Sequence, residues 1–381
     1  MTATLGRVVN VDESAAPTDV TPLASDVPVT LKQRLFRRPK HPWLAAAGVI
    51  VVVLLLLELY ARAIENQFET LRAGDSSEMI LKAERLQTMS GQHIGAVFFG
   101  NSMMDTAVSP AFFTKNSKAY PTAYNAAVVG APLQTRLRWG KEVVLRDLDP
   151  DVIVVGVHPV DLLHTDFLKL NQDPQQADVI FSKVLRETDT SALGSLDRSL
   201  NANLAVVRNR GVLRKPRTVW DATLRQLRGQ PKPKEFDVRT EEEWQQMLKN
   251  DGEISLFHGV AFKEESIKNT GPKLKENLQT KNFSTAELTS LLDALEDTGI
   301  RVVVVVPPVP LDAWAKAGVD LDALHRGNEL IQREAAARGM RVVDFTDRGY
   351  KNAWFGDVLH ANEKGSVQFS KELAEELDKP A

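Results

Sequence analysis

Cysteine is absent from the 381 residues of this chain. Its absence excludes disulfides, thiolate metal sites and a cysteine nucleophile together. It does not fix the compartment, because an exported protein that is large enough to build a core needs no disulfide. The sequence also contains no internal repeat, no His-Glu-x-x-His zinc motif and no Gly-rich phosphate loop followed by lysine.

The chain also has no large excess of either positive or negative charge. The chain carries 47 Lys and Arg against 50 Asp and Glu, a formal net charge of -3. It therefore lacks the basic surplus that marks nucleic-acid-binding proteins, and we predict no nucleic-acid partner. Length alone allows one large domain or two smaller ones.

The N-terminal region predicts a membrane anchor. Residues 43–57 contain no polar side chain, and a basic cluster precedes them at Lys32, Arg34, Arg37, Arg38 and Lys40. A buried helix of a soluble protein is the alternative, but the basic cluster and the flanking Trp43 and Tyr60 favour a membrane span. We predict a disordered cytoplasmic tail (1–42), a transmembrane anchor (43–63) and a stalk (64–92). Because the basic side stays cytoplasmic, residues 93–381 should form an extracytoplasmic domain.

That domain alternates short apolar runs with helical patterns. The runs lie at 96–99, 123–129, 152–156, 301–306 and 342–345, and the residues from Ser284 to Glu287 predict a capping box before one helix. Five such runs predict a parallel sheet covered by helices on both faces. Residues 165–280 are mostly polar and helical and form a predicted insertion. Its portion 208–234 carries nine Lys or Arg, which form either a solvated face or a contact with anionic lipid or polymer.

Ser102 follows the first of these apolar runs. Gly100 and Asn101 break the run, because both tolerate backbone angles that other residues resist. A serine delivered by a buried strand into a tight turn lies at the carboxyl edge of the sheet, where open α/β folds bind their ligands. The alternative is that Ser102 only caps the next helix.

A base for this serine is available near the C-terminus. An unmodified serine is a weak nucleophile and needs an adjacent base, a role that histidine suits because its pKa lies near neutral pH. His360 follows Asp357 by three residues, so one loop can supply both the base and the carboxylate that orients it. Asn362 and Gly365 follow, before a final helix.

These segments resemble the SGNH/GDSL hydrolase superfamily. Residues 100–102 resemble its first block, residues 125–130 its second and residues 357–365 its fifth. The resemblance implies a flavodoxin-like three-layer α/β/α fold with a five-stranded parallel sheet. It also implies that Ser102 is the nucleophile, His360 the base, Asp357 the orienting carboxylate, and the amides of Gly130 and Ser102 the oxyanion donors.

The third block departs from the family pattern. Gly156 is followed by Val157 and His158, and His158 stands where the family has an asparagine that donates to the oxyanion. Either the imidazole of His158 replaces that donor, or the two amides act alone. His158, Asp161 and His164 also suggest a metal site, but their number and spacing are poor for zinc, and we predict no metal.

The sequence thus predicts a single-pass membrane protein that acts as a serine esterase or O-acyltransferase, with an O-acetyl group the expected acyl group. Its expected substrate is an envelope glycan or lipid-linked sugar, and no cofactor is expected. One competing hypothesis is an inactive SGNH-fold protein that binds or scaffolds in the envelope. A weaker one is a phosphate-binding protein that uses the turn at Gly100.

Overall fold

The computed structural model describes residues 41–67, 73–163, 192–231, 241–279 and 282–380. The predicted tail lies almost entirely outside the described residues. The chain divides into two compact units, Met1–Leu57 and Glu58–Ala381.

The strands are β1 (Gln92–Phe99), β2 (Ala123–Asn125), β3 (Leu148–Gly156), β4 (Arg301–Val306) and β5 (Arg341–Asp344). The helices are α1 (Pro42–Ile64), α2 (Ala73–Thr88), α3 (Ser102–Ala107), α4 (Pro110–Asn116), α5 (Leu133–Trp139), α6 (Leu145–Asp147), α7 (Ala192–Asn203), α8 (Ala205–Arg208), α9 (Arg210–Leu213), α10 (Pro216–Leu227), α11 (Glu241–Met247), α12 (Glu264–Asn269), α13 (Gly271–Gln279), α14 (Ala286–Glu296), α15 (Leu311–Lys316), α16 (Leu321–Ala336) and α17 (Glu363–Leu377). A π-helical segment, Gly140–Val144, joins α5 to α6.

The predicted five-stranded parallel sheet is confirmed. Its strand order is β2-β1-β3-β4-β5, and every neighbouring pair is parallel. This is the flavodoxin-like order, in which the chain direction across the sheet reverses between β1 and β3. Ligands of such sheets bind beside the carboxyl ends of the strands at that point.

The sheet separates two apolar layers, as a three-layer fold requires. Alternate residues of β1 divide between them: Val97 and Phe99 join one layer, and Ala96 and Phe98 join the other. The first layer packs against α2, α5, α14 and α16, and the second packs against α3, α4 and α17. The near-continuous apolar sequence of β1 follows from this burial on both faces.

Helix α1 contains the predicted membrane span. It is the one helix among the described residues that is long and apolar enough to cross a membrane, and only 6% of its most apolar window is buried by protein. This agrees with the prediction of a single span.

The segment predicted as a stalk contains α2, which packs into the folded unit rather than forming a separate spacer. Met79, Ala83 and Leu86 join the first apolar layer. Glu78 and Lys82, on the same helix, are also fully buried. Part of the polar composition of residues 64–92 therefore comes from charged side chains inside the protein.

The insertion is helical, as predicted. Helices α7 to α13 lie within it, and its described residues contain no strand. Parts of the predicted insertion, at 165–191, 232–240 and 280, lie outside the described residues.

The predicted capping box at Ser284 to Glu287 is wrong. Thr285 is the N-cap of α14, and no side-chain hydrogen bond caps the helix. The carboxylate of Glu287 instead accepts a hydrogen bond from Gln134 Nε2 at 2.9 Å. Glu287 thus bonds to a residue of α5 instead of to the start of its own helix.

Candidate active site

Ser102 lies at the carboxyl edge of the sheet, directly after β1 and its Gly-Asn turn. Asn101 is the N-cap of α3, because its Oδ1 accepts a hydrogen bond from Met103 N at 2.9 Å. The alternative reading of Ser102 as the cap is therefore wrong. Because Asn101 accepts the hydrogen bond from the first turn of α3, the hydroxyl of Ser102 is available for another partner.

The turn before Ser102 is compact because Met104 fills the space between two strand ends. A Cβ on Gly100 would collide with the Met104 side chain, and so would a Cβ on Gly156. Glycine at the ends of β1 and β3 therefore lets Met104 enter the core directly beneath the turn that carries Ser102. The segments after β1 and β3 meet at this residue.

The structure brings the three predicted catalytic side chains together in one chain of hydrogen bonds. Ser102 Oγ lies 2.9 Å from His360 Nε2. His360 Nδ1 lies 2.8 Å from Asp357 Oδ2 and 3.0 Å from its Oδ1. These are the contacts that a serine nucleophile, a base and an orienting carboxylate require.

Asp357 is held as a carboxylate. Its burial raises the pKa, but hydrogen bonds from the His360 ring and from the amides of Leu359 and His360 outweigh this and leave the pKa below its usual value. A charged Asp357 keeps the proton of the neutral imidazole on Nδ1. Nε2 is then free to accept the serine proton.

Phe257, from the insertion, packs on the other side of the base. Its ring stacks on the His360 ring with centroids 4.9 Å apart and an angle of 9° between the planes. Gly356 permits this approach, because a Cβ there would collide with the Phe257 ring. The insertion therefore forms one wall around His360.

Asn362 organises the loop that carries Asp357 and His360. Its Oδ1 accepts from the amides of Lys364 and Gly365 and so caps α17. Its Nδ2 lies within hydrogen-bond distance, 3.0–3.1 Å, of three backbone carbonyl oxygens of the surrounding loops, at Val260, Ala353 and Phe355, to which its two N–H groups donate. These bonds explain the asparagine of the Asn-x-x-Gly pattern, and the glycine is required because a Cβ on Gly365 would collide with Trp354 O.

Gly130 lies in the turn after β2 and has a φ of 70°. This is the left-handed region that favours glycine. The turn begins beside the nucleophile, because Val128 N donates to Gly100 O at 3.1 Å. The proposed role of the Gly130 amide at an oxyanion stays a prediction.

A buried ion pair connects the turns that follow β1, β2 and β3. Arg136 Nη2 lies 2.5 Å from Asp161 Oδ1, and both side chains are almost fully buried. Arg136 also donates to Ala131 O, beside the Gly130 turn, and to Gly156 O at the end of β3. Asp161 Oδ1 accepts a hydrogen bond from Asn101 Nδ2 at 3.0 Å, which adds the turn before Ser102 to the network.

His158 is fully buried beside this pair. Its Nδ1 accepts from Val160 N at 3.2 Å, so its proton belongs on Nε2. Nε2 has no hydrogen-bond partner among the residues that the structure describes. Burial lowers the pKa of His158 to about 4, which keeps the ring neutral at physiological pH. The ring can thus offer one donor, but that donor is not exposed, and its role as an oxyanion donor stays a prediction.

The alternative metal site receives no support from Asp161, which is engaged with Arg136. His164 lies outside the described residues. Within the described ranges, no group of three or more His, Asp or Glu side chains is arranged to hold a metal ion.

A second buried charged group lies under the Gly130 turn. Lys82 Nζ lies 2.6 Å from Asp105 Oδ1 and 3.3 Å from Glu78 Oε1, and all three side chains are fully buried. Lys82 also donates to Ala127 O, while Glu78 Oε2 accepts from Val129 N at 3.1 Å. Helix α2 is therefore bonded to both the nucleophile helix and the second block.

Sequence reasoning missed Arg136, Lys82 and Phe257. Arg136 lies one helical turn after the Gly130 turn, and Lys82 and Glu78 are spaced i, i+4 among apolar residues of α2. Charges at such core-facing positions are a signal of a buried network. Phe257 offered no comparable pattern, because it lies in an irregular part of the insertion.

Residues 217–377 match a family model described as DltD protein. The match covers less than half of the chain. It includes Asp357, His360 and Asn362 but stops short of Ser102, Gly130 and His158. Comparison with curated proteins gives no significant match. The chain is therefore similar to DltD proteins over its C-terminal part, and this similarity supports a membrane-anchored protein of the cell envelope.

Proposed function

We propose that this chain is an extracytoplasmic, membrane-anchored serine esterase or O-acyltransferase of the SGNH type. The observation that carries the proposal is the hydrogen-bond chain from Ser102 Oγ through His360 to Asp357. The DltD family is linked to an acyl-transfer pathway, the D-alanylation of teichoic acids. This supports acyl chemistry at the envelope and does not identify the acyl group or acceptor of this chain.

The geometry supports a two-step reaction. Ser102 Oγ attacks the ester carbonyl while His360 Nε2 takes its proton, and Asp357 stabilises the imidazolium that forms. Amides near the nucleophile turn would hold the oxyanion. His360 then returns the proton to the leaving alcohol, which leaves an acyl-serine. Water or a sugar hydroxyl attacks the acyl-serine by the reverse proton path, and Ser102 is regenerated.

A fluorophosphonate probe tests the nucleophile. The native protein should be labelled, and Ser102→Ala and His360→Ala should each lose labelling while their circular dichroism spectra stay unchanged. Ser290→Ala removes an exposed serine hydroxyl from a helix and serves as the matched control. Undiminished labelling of Ser102→Ala would remove Ser102 from the proposed role.

The orientation can be tested separately. A reporter enzyme that is active only outside the cytosol, fused after residue 381, should be active because the basic cluster precedes the span. Activity of a cytosolic reporter at the same position would exclude a function in the envelope.

The proposed substrate is an acylated envelope glycan or lipid-linked sugar. A membrane-anchored enzyme meets a surface polymer at high local concentration, and the insertion forms a wall beside His360 through Phe257. The purified full chain should act on acetylated envelope polysaccharide. Fast turnover of a small aryl acetate without action on the polysaccharide would instead favour a general esterase.

An inactive binding or scaffolding protein is the second candidate. The burial of His158 Nε2 favours it, because the third block then offers no exposed side-chain donor to an oxyanion. Loss of one such donor typically costs about 2.7–4 kcal/mol of transition-state stabilisation. A folded native protein that the fluorophosphonate probe leaves unlabelled would support this candidate.

A further inference from the structure

We propose that the insertion has a lipid-facing surface, formed by α7 and α10, that lies in the headgroup region of the membrane crossed by α1. The proposal does not depend on the catalytic role of Ser102. It starts from the distribution of exposed apolar side chains. Outside α1, the large apolar residues that the described parts of the chain expose are Phe112 and six residues of the insertion, namely Leu193, Leu196, Leu200, Leu204, Trp220 and Leu227.

Three of these leucines form one stripe on α7, and the fourth follows the helix directly. Leu193, Leu196 and Leu200 recur at the spacing that places side chains on one face of a helix, and they are 78%, 55% and 40% exposed. Leu204, the next residue after α7, is 37% exposed. A continuous apolar stripe in water is unfavourable and marks an interaction surface. Ser195 lies on the other side of the same helix and is also exposed.

Helix α10 carries the rest of the surface. Its Ala222 is buried against Ile64, at the end of α1. Trp220 and Leu227 project from the opposite side of α10 and are 63% and 78% exposed. Trp is enriched at the boundary between lipid and water, because its ring combines an apolar body with a polar N–H group.

The insertion is bonded to α1 at the point where the apolar segment ends. Both oxygens of Glu58 accept hydrogen bonds from the first amides of α8, Ala205 N and Val206 N, at 2.9 and 3.0 Å. Arg62 Nη2 donates to Asn203 O at 2.7 Å. These bonds hold the end of α7 beside the first polar turn of α1, so the leucine stripe begins where a spanning helix leaves the membrane.

The charged residues near α10 also favour anionic lipid as the partner of this surface. Arg214, Arg217 and Arg228 are exposed on or next to α10. Exposed arginines beside an apolar helix face are typical of helices that lie on an anionic lipid surface. A second protein chain would also cover leucines, but the bonds to Glu58 and Arg62, which directly follow the apolar segment, favour lipid.

The absence of cysteine makes site-specific labelling direct. Leu196→Cys and Leu227→Cys, each carrying a spin label, would be compared in nanodiscs of phosphatidylcholine and phosphatidylglycerol with Ser195→Cys on the same helix and Glu375→Cys on α17. Collision rates with oxygen, which enters lipid, and with a water-soluble nickel complex would be measured for the full chain. Unchanged circular dichroism spectra would show that the variants fold.

We expect a higher ratio of oxygen to nickel accessibility at residues 196 and 227 than at residues 195 and 375. The difference should shrink when phosphatidylglycerol is omitted, because the arginines lose their anionic partners. Equal ratios at all four positions would overturn the proposal. It would also be overturned by labels at 196 and 227 that are immobilised and shielded from both reagents, since a protein surface would then cover the stripe.

Discussion

Arg136 connects the parts of the candidate site more extensively than any one of the predicted catalytic residues. It reaches Ala131 O beside the Gly130 turn, Gly156 O at the end of β3, and both oxygens of Asp161. A guanidinium can make these bonds together because its donors are held in a fixed planar fork. We infer that Arg136 positions the site and does not itself touch substrate.

Arg136→Lys should slow acylation. Lysine keeps the charge but cannot hold two carbonyls and a carboxylate in the same geometry, so the Gly130 turn should shift relative to Ser102. We expect a lower rate of fluorophosphonate labelling in a protein that still folds. Arg138→Lys, which changes a half-buried neighbour on the same helix, is the control and should label at the native rate. Equal rates for the two variants would contradict a positioning role.

Asp357→Asn should lower the rate of acyl-ester turnover by up to about 10⁴-fold, the loss found when a triad carboxylate is made neutral in a serine protease. The amide can donate to the imidazole and so favours the wrong tautomer. Because the pKa of Asp357 lies below its usual value, the native carboxylate stays charged into mildly acidic solution. Initial rates on an aryl acetate would measure the effect. Asp347→Asn, at an exposed position, should change nothing, and a similar rate in both variants would argue against the triad.

At the scale of the element, helix α2 supports the candidate site through buried contacts. Its Lys82 Nζ lies between Asp105 of α3 and Glu78 of its own helix and contacts both carboxyl groups. Burial raises the pKa of Glu78 and of Asp105, so these carboxyls depend on the lysine for any charge they carry. The position of α2 beneath the Gly130 turn is therefore coupled to the fold of the site.

Lys82→Met should destabilise the protein by about 3–5 kcal/mol, because it leaves two buried carboxyls without a counter-charge. Lys371→Met is the matched control: it removes a lysine from an exposed i, i+4 pair with Glu375. Such surface pairs contribute about 0–1 kcal/mol. Urea unfolding of the full chain in detergent would give both values. Similar unfolding midpoints for the two variants would show that the buried group is not a stability determinant.

The elements differ in how well the sequence predicts them, and the reason is burial. The five strands follow from apolar runs such as Arg301–Val306, because strands buried on both faces need such composition. Their parallel order follows from the alternation with helices. The role of α2 could not be predicted this way: its polar residues suggest solvent, and only the fold shows that Lys82 and Glu78 are inside.

The same limit applies to the candidate site. Ser102, Asp357 and His360 are predictable because the chemistry of each requires the others, and the structure brings all three into hydrogen-bond contact. The chemistry of the predicted triad does not require Arg136 or Phe257, so nothing in it points to either residue. Their proximity depends on how the helices pack, and a single sequence does not encode that in any short pattern.

At the scale of the whole molecule, the strand order explains why distant segments share one site. Between β1 and β3 the connections leave in opposite directions across the sheet, which opens a crevice at the carboxyl ends. Ser102 lies at that crevice because it follows β1, and His158 and Asp161 lie there because they follow β3. The loop with His360 comes from the C-terminal part of the chain.

The buried His158 should make the stability of the whole protein depend on pH. Burial lowers its pKa to about 4 from the usual 6.5. Between these two pH values the imidazole binds a proton in the unfolded chain and stays neutral in the folded chain. The stability that the neutral ring contributes is complete above pH 6.5 and is lost as the pH falls toward 4. Over that window the loss is on the order of 3 kcal/mol.

His158→Gln should remove this contribution to the pH dependence, because the glutamine side chain does not titrate. The measurement is the urea midpoint of the full chain in detergent at pH 7.5 and at pH 4.5. The native protein should lose more stability between the two conditions than His158→Gln does. His325→Gln removes a partly exposed ring, is the control, and should lose as much stability as the native protein. If His158→Gln shows the native dependence, the acid sensitivity belongs to other groups, and the buried imidazole is not what limits the fold at low pH.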